Sequence, residues 1–136
     1  GAELVMFGHL QFDALDPQPA TLSAMWHTIL RDELNFDGII VTDDMMMLQN
    51  SGRADLADPY QNAVRAVAAG NTMLLYVGPV DVPGVVASVA AAVESGAIDE
   101  AAIDDAAHRI LVARRILSGE TGRFVHCFEA CQGLIE

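Results

Sequence analysis

Lysine is absent from this sequence of 136 residues, and all seven basic side chains are arginines. Against nineteen acidic residues, they leave a formal net charge of −12. The acidic residues are scattered along the chain rather than gathered in a tail, which is typical of a solvated surface and not of an interaction segment. A surface of this charge repels phosphate backbones, and this argues against nucleic acid as a partner.

Long apolar runs are also missing. No stretch approaches the roughly 18 residues that a membrane-spanning helix requires, so no membrane association is expected. The first residues do not combine a basic stretch with an apolar core, and we therefore predict no signal peptide. Hydrophobic residues nevertheless make up 52% of the sequence and charged residues only 19%. That balance is typical of a globular domain with a packed core and excludes a disordered chain.

Cysteine is scarce, with Cys127 and Cys131 four residues apart near the C-terminus and His126 beside them. Zinc sites usually have four ligands and tighter pairs such as C-x-x-C. Two thiols on one apolar helical face are therefore the favoured interpretation, and a metal site is the alternative. We predict neither a metal nor a cofactor. Free thiols fit a reducing compartment, so a cytoplasmic location is expected.

Three short apolar runs, at residues 4–7, 39–42 and 73–77, predict buried strands. Helical periodicity predicts four helices: one from Thr21, two over residues 60–68 and 82–93, and a last one that begins at Asp99. The last helix is expected to pack with the apolar face Ala106, Ile110, Leu111 and Leu117. Thr21 or Ser23 is the expected cap of the first helix, Asn35 is its expected left-handed stop, and Gly70 is expected to end the second helix.

The resulting order, β-α-β-α-β-α-α, predicts a parallel sheet covered by helices. A doubly wound sheet and part of a (β/α)8 barrel both satisfy this order. In both architectures function lies at the carboxyl ends of the strands. His9 follows the first strand, and Asp43 and Asp44 follow the second, so all three are candidate site residues.

A carboxylate held directly after a buried strand suits covalent glycosyl transfer, proton abstraction or metal binding. Asp43 and Asp44 could equally cap the next helix or bind a backbone amide in the turn. Three methionines follow, Met45, Met46 and Met47. Packing in the core or at the start of a helix is the usual role of such residues, and a wall of the site is the alternative.

Five motifs resemble, in order, those of family 3 glycoside hydrolases of the β-N-acetylhexosaminidase type. Residues 29–47 read I-L-R-D-E-L-N-F-D-G-I-I-V-T-D-D-M-M-M, similar to the family's L-R-x-E-L-G-F-D-G-V-I-x-S/T-D-D-L-x-M. Val5-Met6 with His9 resembles V-M-x-x-H, and residues 15–23 resemble L-D-x-x-P-A-T-L-S. Residues 66–75 resemble A-x-x-A-G-x-D-M-L-L, and residues 103–111 match in part R-I-D-x-A-x-x-R-I-L.

The resemblance implies a partial (β/α)8 (TIM) barrel over residues 1–118, with about three parallel strands and four covering helices, followed by a divergent tail at residues 119–136. It implies that Asp43 is the catalytic nucleophile of a retaining glycosidase. It places His9 and Met47 beside the sugar, which the motifs suggest is an N-acetylglucosaminide. Asp44 is expected to orient the loop.

The sequence departs from the family pattern at several positions. Thr72 replaces an aspartate, which we interpret as structural drift, and Asn35 replaces a glycine. The family's K-H-x-x-G-H-G loop, whose histidine serves as acid/base, does not occur in these 136 residues. His27 and His108 are expected at a helix surface or an interface and do not replace that histidine.

Three strands cannot close a barrel, so an open sheet would expose two edges and an apolar inner face. A homo-oligomer or a complementary chain is the expected cover, with rearrangement into a small three-layer sandwich as the alternative. Carbohydrate is the expected ligand. Two functional hypotheses follow. In the first, the chain is a glycosidase fragment that is inactive alone, and in the second it is a non-catalytic oligomeric module derived from that barrel.

Overall fold

The computed structural model describes residues 1–119, and the expected tail from Glu120 onward, with His126, Cys127 and Cys131, lies outside the described residues. The chain forms three strands, and each strand is followed by one or two of five α-helices. Their bounds are β1 Leu4–Phe7, α1 Ala24–Thr28, β2 Ile39–Asp44, α2 Met46–Gln49, α3 Pro59–Ala69, β3 Met73–Leu75, α4 Val82–Glu94 and α5 Glu100–Ser118. A π-helical turn, Ile29–Glu33, extends α1, and short 3-10 turns lie at Ala20–Leu22 and Ala54–Leu56.

The three strands form one parallel sheet in the order β1-β2-β3. Leu4 pairs with Ile39 and Phe7 with Thr42, so β1 and β2 stay in register along their length. The pairing of β2 with β3 shifts between Val41 and Asp44, where β2 contains an irregularity of the β-bulge type. This architecture confirms the three parallel strands and is consistent with a partial barrel. The sequence missed one helix, α2, since its single turn has too few residues to show a period.

Local chemistry explains where the helices begin and end. The Ser23 hydroxyl, not that of Thr21, caps α1 by accepting from the Trp26 amide, and the Asp99 carboxylate caps α5 as predicted. Gly70 ends α3 at φ 112°, and Asn35 takes the left-handed conformation at φ 50°. The left-handed conformation of Asn35 and the end of a helix at Gly70 are therefore confirmed, and both residues tolerate a positive φ.

The core lies between the sheet and the helices α2 and α3. Its members are large apolar side chains from the loops and short helices together with one alanine of α3: Leu22, Met45, Leu48, Leu56 and Ala66. Met45 is only 2% exposed, which confirms the core interpretation for the first of the three methionines. Met47 is 54% exposed, so the third methionine belongs to the surface.

Two apolar surfaces remain uncovered in the part of the chain that the structure describes. Leu4, Met6 and Met73 of the sheet are exposed, as expected for an open barrel fragment. Of the expected apolar face of α5, Ala106 and Ile110 are partly buried, whereas Leu111 is exposed and Leu117 is 82% exposed. No residue of α5 is fully buried. None of the helices in residues 1–119 is long and apolar enough to cross a membrane.

Candidate functional site

The carboxyl ends of the three strands meet at one edge of the sheet. His9 lies two residues after β1, Asp43 and Asp44 end β2, and Val77 lies two residues after β3. Hydrogen bonds join all four positions. The structure therefore brings together His9, Asp43 and Asp44, which the sequence had placed in the candidate site.

The amide and the carbonyl of Asp44 are each hydrogen-bonded to a side chain. Its N–H donates to Oδ1 of Asp43 at 2.8 Å, and Nε2 of His9 lies 2.9 Å from its carbonyl oxygen. The Asp44 carboxylate accepts from the amides of Met46 and Val77, each at 3.1 Å. Asp44 thus orients the loop, as expected, and ties the end of β2 to the ends of both other strands.

The bulge in β2 is held by a side chain. The Thr42 hydroxyl accepts the amide of Leu75 at 2.9 Å, and the Met45 amide donates to the Leu75 carbonyl at 2.9 Å. At this point, one hydrogen bond between β2 and β3 is made by a side chain and the next by the backbone. Bulges beside active sites change the direction in which a side chain points. Here the bulge falls in the stretch from Val41 to Asp44 that contains Asp43.

Asp43 is half-buried, and its hydrogen bond to the Asp44 amide occupies only Oδ1. Within residues 1–119, no hydrogen bond or ion pair to Oδ2 is found. One carboxylate oxygen is therefore anchored and the other is available. This arrangement suits a carboxylate that must attack from a fixed position.

His9 uses both ring nitrogens within the protein. Besides Nε2 with Asp44, its Nδ1 lies 2.8 Å from the hydroxyl of Thr21, which is fully buried. That hydroxyl also lies 2.9 Å from the carbonyl of Phe7 and 2.8 Å from the carbonyl of Gly8. Met47, on α2, takes no part in these hydrogen bonds. Its predicted place beside the sugar stays a prediction.

Cavities of about 380, 620 and 350 Å³ lie among the described residues, and these three are not lined by His9, Asp43 or Met47. The first lies between α1, α3 and α5, the second at the amino-terminal end of β2, and the third between β3, α4 and α5. The last has an entirely apolar lining of valine, leucine, isoleucine and alanine side chains.

Thr72 has a larger structural role than drift alone predicts. Its hydroxyl accepts from Nη2 of Arg31 and from the Ile40 amide, both at 3.2 Å. Arg31 also donates from Nη1 to the carbonyls of Phe36 and Gly38, each at 2.7 Å. Burial lowers the pKa of Arg31, and the charge of Arg109 lowers it further. The sequence signal for this contact was the replaced aspartate itself.

The surface position expected for His27 is wrong, because this side chain is 3% exposed. Its ring packs against Phe7 with the ring centroids 4.5 Å apart, and its Nδ1 lies 2.8 Å from the carbonyl of Ser23. Burial lowers the pKa of the imidazole. In the short helix α1, the side chain of His27 points toward β1. The amphipathic pattern of the sequence did not show this orientation. His108, by contrast, is exposed on α5 as expected.

Within residues 1–119, no group of three or more His, Cys, Asp or Glu side chains could hold a metal ion. The site consists of Asp43, of which one carboxylate oxygen is hydrogen-bonded, and the hydrogen bonds around it at the carboxyl edge of a parallel sheet. These features define an α/β barrel fragment with a candidate carboxylate site.

Comparison with known proteins supports this class. The family model described as "Glycosyl hydrolase family 3 N terminal domain" matches residues 1–113. A beta-hexosaminidase of Methylococcus capsulatus is 35% identical over 94 residues, which cover 68% of this chain and 26% of that protein. A beta-hexosaminidase of Idiomarina loihiensis is 42% identical over 72 residues, which cover 52% of this chain and 21% of the relative.

Solved structures agree. A glycoside hydrolase family 3 beta-N-acetylglucosaminidase from Paenibacillus sp. str. FPU-7 superposes with a TM-score of 0.76 and 33% identity, covering 95% of this chain and 25% of that one. The chain therefore belongs to glycosyl hydrolase family 3 and corresponds to a portion of its N-terminal domain. It spans about a fifth to a quarter of the length of the first curated relatives that it matches.

Proposed function

We propose that this chain carries the nucleophile of a retaining β-N-acetylglucosaminidase and that Asp43 is that nucleophile. The observation that carries the proposal is the state of its carboxylate: Oδ1 is anchored by the Asp44 amide, while Oδ2 has no partner among the described residues. The family membership and the names of the relatives support the reaction class and the sugar.

The proposed reaction has two steps. Oδ2 of Asp43 attacks the anomeric carbon, a carbon–oxygen bond forms to the carboxylate, and the bond to the leaving oxygen breaks. The leaving oxygen takes up a proton from a general acid. Water then attacks the same carbon, gives its proton to the base, and releases Asp43 as a carboxylate, so that the configuration of the sugar is retained.

The acid/base must come from outside this sequence, because the K-H-x-x-G-H-G pattern does not occur in it. General acid–base catalysis contributes roughly a hundred- to ten-thousand-fold to a rate. Positioning of the sugar by the remaining strands adds more. We therefore expect little or no turnover by the 136 residues alone.

The sugar pocket is proposed to include His9 and Met47. The ring nitrogens of His9 are engaged by Thr21 and Asp44, so His9 would contact the sugar with its ring face or edge. Met47 is exposed on the helix that directly follows β2 and would contribute an apolar wall. Carbohydrate is thus the proposed ligand.

The proposed partner is a chain that covers the open sheet, either a complementary polypeptide with the other strands or a second copy. Exposed Leu4, Met6 and Met73 support this proposal. The same observation favours the alternative function, a non-catalytic module that is stable as an oligomer. The two functions differ in whether Asp43 performs chemistry, and a nucleic-acid partner is not proposed for a chain of net charge −12.

The test is a chimera in which the corresponding residues of this chain replace the 94 matched residues of the Methylococcus capsulatus relative. We expect it to hydrolyse a chromogenic N-acetyl-β-glucosaminide. Asp43→Ala should lower kcat/KM by roughly a thousand-fold or more, while Asp104→Ala, an exposed carboxylate of α5, should leave it unchanged. A folded chimera whose Asp43→Ala variant is fully active would contradict the catalytic proposal and favour the non-catalytic module.

A further inference from the structure

The hydrogen-bond chemistry of His9 defines which of its nitrogens carries a hydrogen. The carbonyl oxygen of Asp44 can only accept, so Nε2, at 2.9 Å from it, must be a donor. This conclusion does not depend on the charge of the ring. His9 is therefore a donor to the backbone of β2, fixed from the end of β1.

The other ring nitrogen of His9, Nδ1, is paired with a hydroxyl group that can either donate or accept a hydrogen bond. When the ring is neutral, Nδ1 accepts the hydroxyl hydrogen of Thr21 at 2.8 Å. When the ring is charged, Nδ1 donates to the same oxygen, and the hydroxyl turns to the carbonyl of Phe7 or Gly8, at 2.9 and 2.8 Å. Rotation of one buried hydroxyl satisfies both states, so the imidazole stays in place and keeps its bond to Asp44.

Asp44 links this bond to the proposed nucleophile. Its carbonyl is bound by His9, and its amide donates to Oδ1 of Asp43 at 2.8 Å. The carboxylate of Asp44 further restrains the residue through the amides of Met46 and Val77. Any shift of the Asp44 amide relative to the Asp43 carboxylate would therefore lengthen at least one of these hydrogen bonds.

We propose that His9 is a positioning residue that acts through the Asp44 backbone to hold the Asp43 carboxylate in the orientation it needs for attack. This role goes beyond forming part of the pocket wall and rests on the proposed function of Asp43. His9 hydrogen-bonds to the backbone of β2 and not to Asp43. The effect of replacing His9 is therefore measured at the Asp44 amide and the Asp43 carboxylate.

The test uses nuclear magnetic resonance of the chain alone, which needs no turnover. In the native chain, neutral His9 should be the tautomer with hydrogen on Nε2. In His9→Asn the amide is one methylene too short to replace Nε2, whereas in His9→Gln it reaches the same place. We expect Asp44 amide exchange to be roughly ten-fold faster in His9→Asn and nearly native in His9→Gln.

The carboxyl carbon resonance of Asp43 should move in His9→Asn and return in His9→Gln, while His108→Asn changes neither signal. The amides of Ile40 and Val41, in the centre of β2, report whether each variant is folded. Native Asp43 and Asp44 signals in folded His9→Asn, or a tautomer with hydrogen on Nδ1, would overturn the proposal. These measurements involve no sugar. If the glycosidase proposal failed, they would still show whether His9 positions Asp43 and Asp44.

Discussion

Nη2 of Arg31 donates a hydrogen bond to the hydroxyl of Thr72 across 41 positions of sequence, at a distance of 3.2 Å. The bond joins the turn after α1 to the start of β3, and every hydrogen-bond acceptor that Arg31 has in residues 1–119 is a neutral oxygen. Burial already disfavours the charged guanidinium and lowers its pKa. A partly buried cation without an anionic hydrogen-bond partner therefore lies beside the central strand.

Replacement of Thr72 by aspartate should stabilise the fold. A hydrogen bond to a charged group contributes about 1.5–3 kcal/mol, against about 1 kcal/mol for a neutral one. Desolvation of the new carboxylate offsets part of that gain. We expect Thr72→Asp to increase the free energy of unfolding by about 1 kcal/mol in urea denaturation.

Thr72→Val supplies the opposite change, since it leaves Arg31 and the Ile40 amide without this acceptor and should cost about 1–2 kcal/mol. Thr28→Val, at an exposed position of α1, is the matched control and should have little effect. If Thr72→Asp were as destabilising as Thr72→Val, an anionic hydrogen-bond partner would not stabilise the partly buried Arg31, and the prediction would be wrong.

Acidification should destabilise the chain through His27. Its pKa is lowered in the folded state by burial, below the 6.5 of the unfolded side chain. The unfolded chain therefore binds the extra proton first. Stability from this group is fully present above pH 6.5 and declines as the pH falls from 6.5 toward the folded pKa.

The measurement compares urea unfolding at pH 7.5 and pH 5.5. His27→Asn, whose amide can still donate to the Ser23 carbonyl, should lose less stability on acidification than the parent chain. His108→Asn, changed at an exposed site, should lose as much as the parent. Identical pH dependence of the parent and His27→Asn would show that burial of His27 does not control this transition.

The exposed sheet face should govern association. Met6 and Met47 form a matched pair, because they are 51% and 54% exposed but lie on the sheet and on α2, respectively. If a second copy covers the sheet, sedimentation should give a mass above the 14.5 kDa of one chain. Met6→Glu should then reduce association, because it places a charge in the apolar interface, and Met47→Glu should not. Equal effects of the two substitutions would exclude the sheet as the interface.

Much of the fold was predictable because its signals are local. The three strands are short β-branched or apolar runs, and Ser23, Asp99, Asn35 and Gly70 mark helix ends through their own backbone preferences. The position of Asp43 at a strand end followed from the same pattern. Resemblance to the family then selected the barrel over the doubly wound sheet, which local signals alone do not distinguish.

What the sequence did not show depends on contacts between distant residues. The bulge beside Asp43 depends on a hydroxyl of β2 that accepts an amide of β3. The burial of His27 depends on how α1 is oriented over Phe7. Leu111 and Leu117 of α5 are exposed, because an apolar stripe indicates which face would pack and not whether a partner surface is present.

The most direct test of the central claim is to trap the covalent intermediate. The chimera is incubated with a fluorinated N-acetylglucosaminyl fluoride, a reagent whose glycosyl ester hydrolyses slowly, and its peptides are analysed by mass spectrometry. We predict that one sugar is attached to the Asp43 carboxylate, and that the Asp43→Ala variant remains unlabelled. A sugar attached to Asp44 or to another carboxylate, or an active chimera that never becomes labelled, would contradict the assignment of Asp43 as the nucleophile.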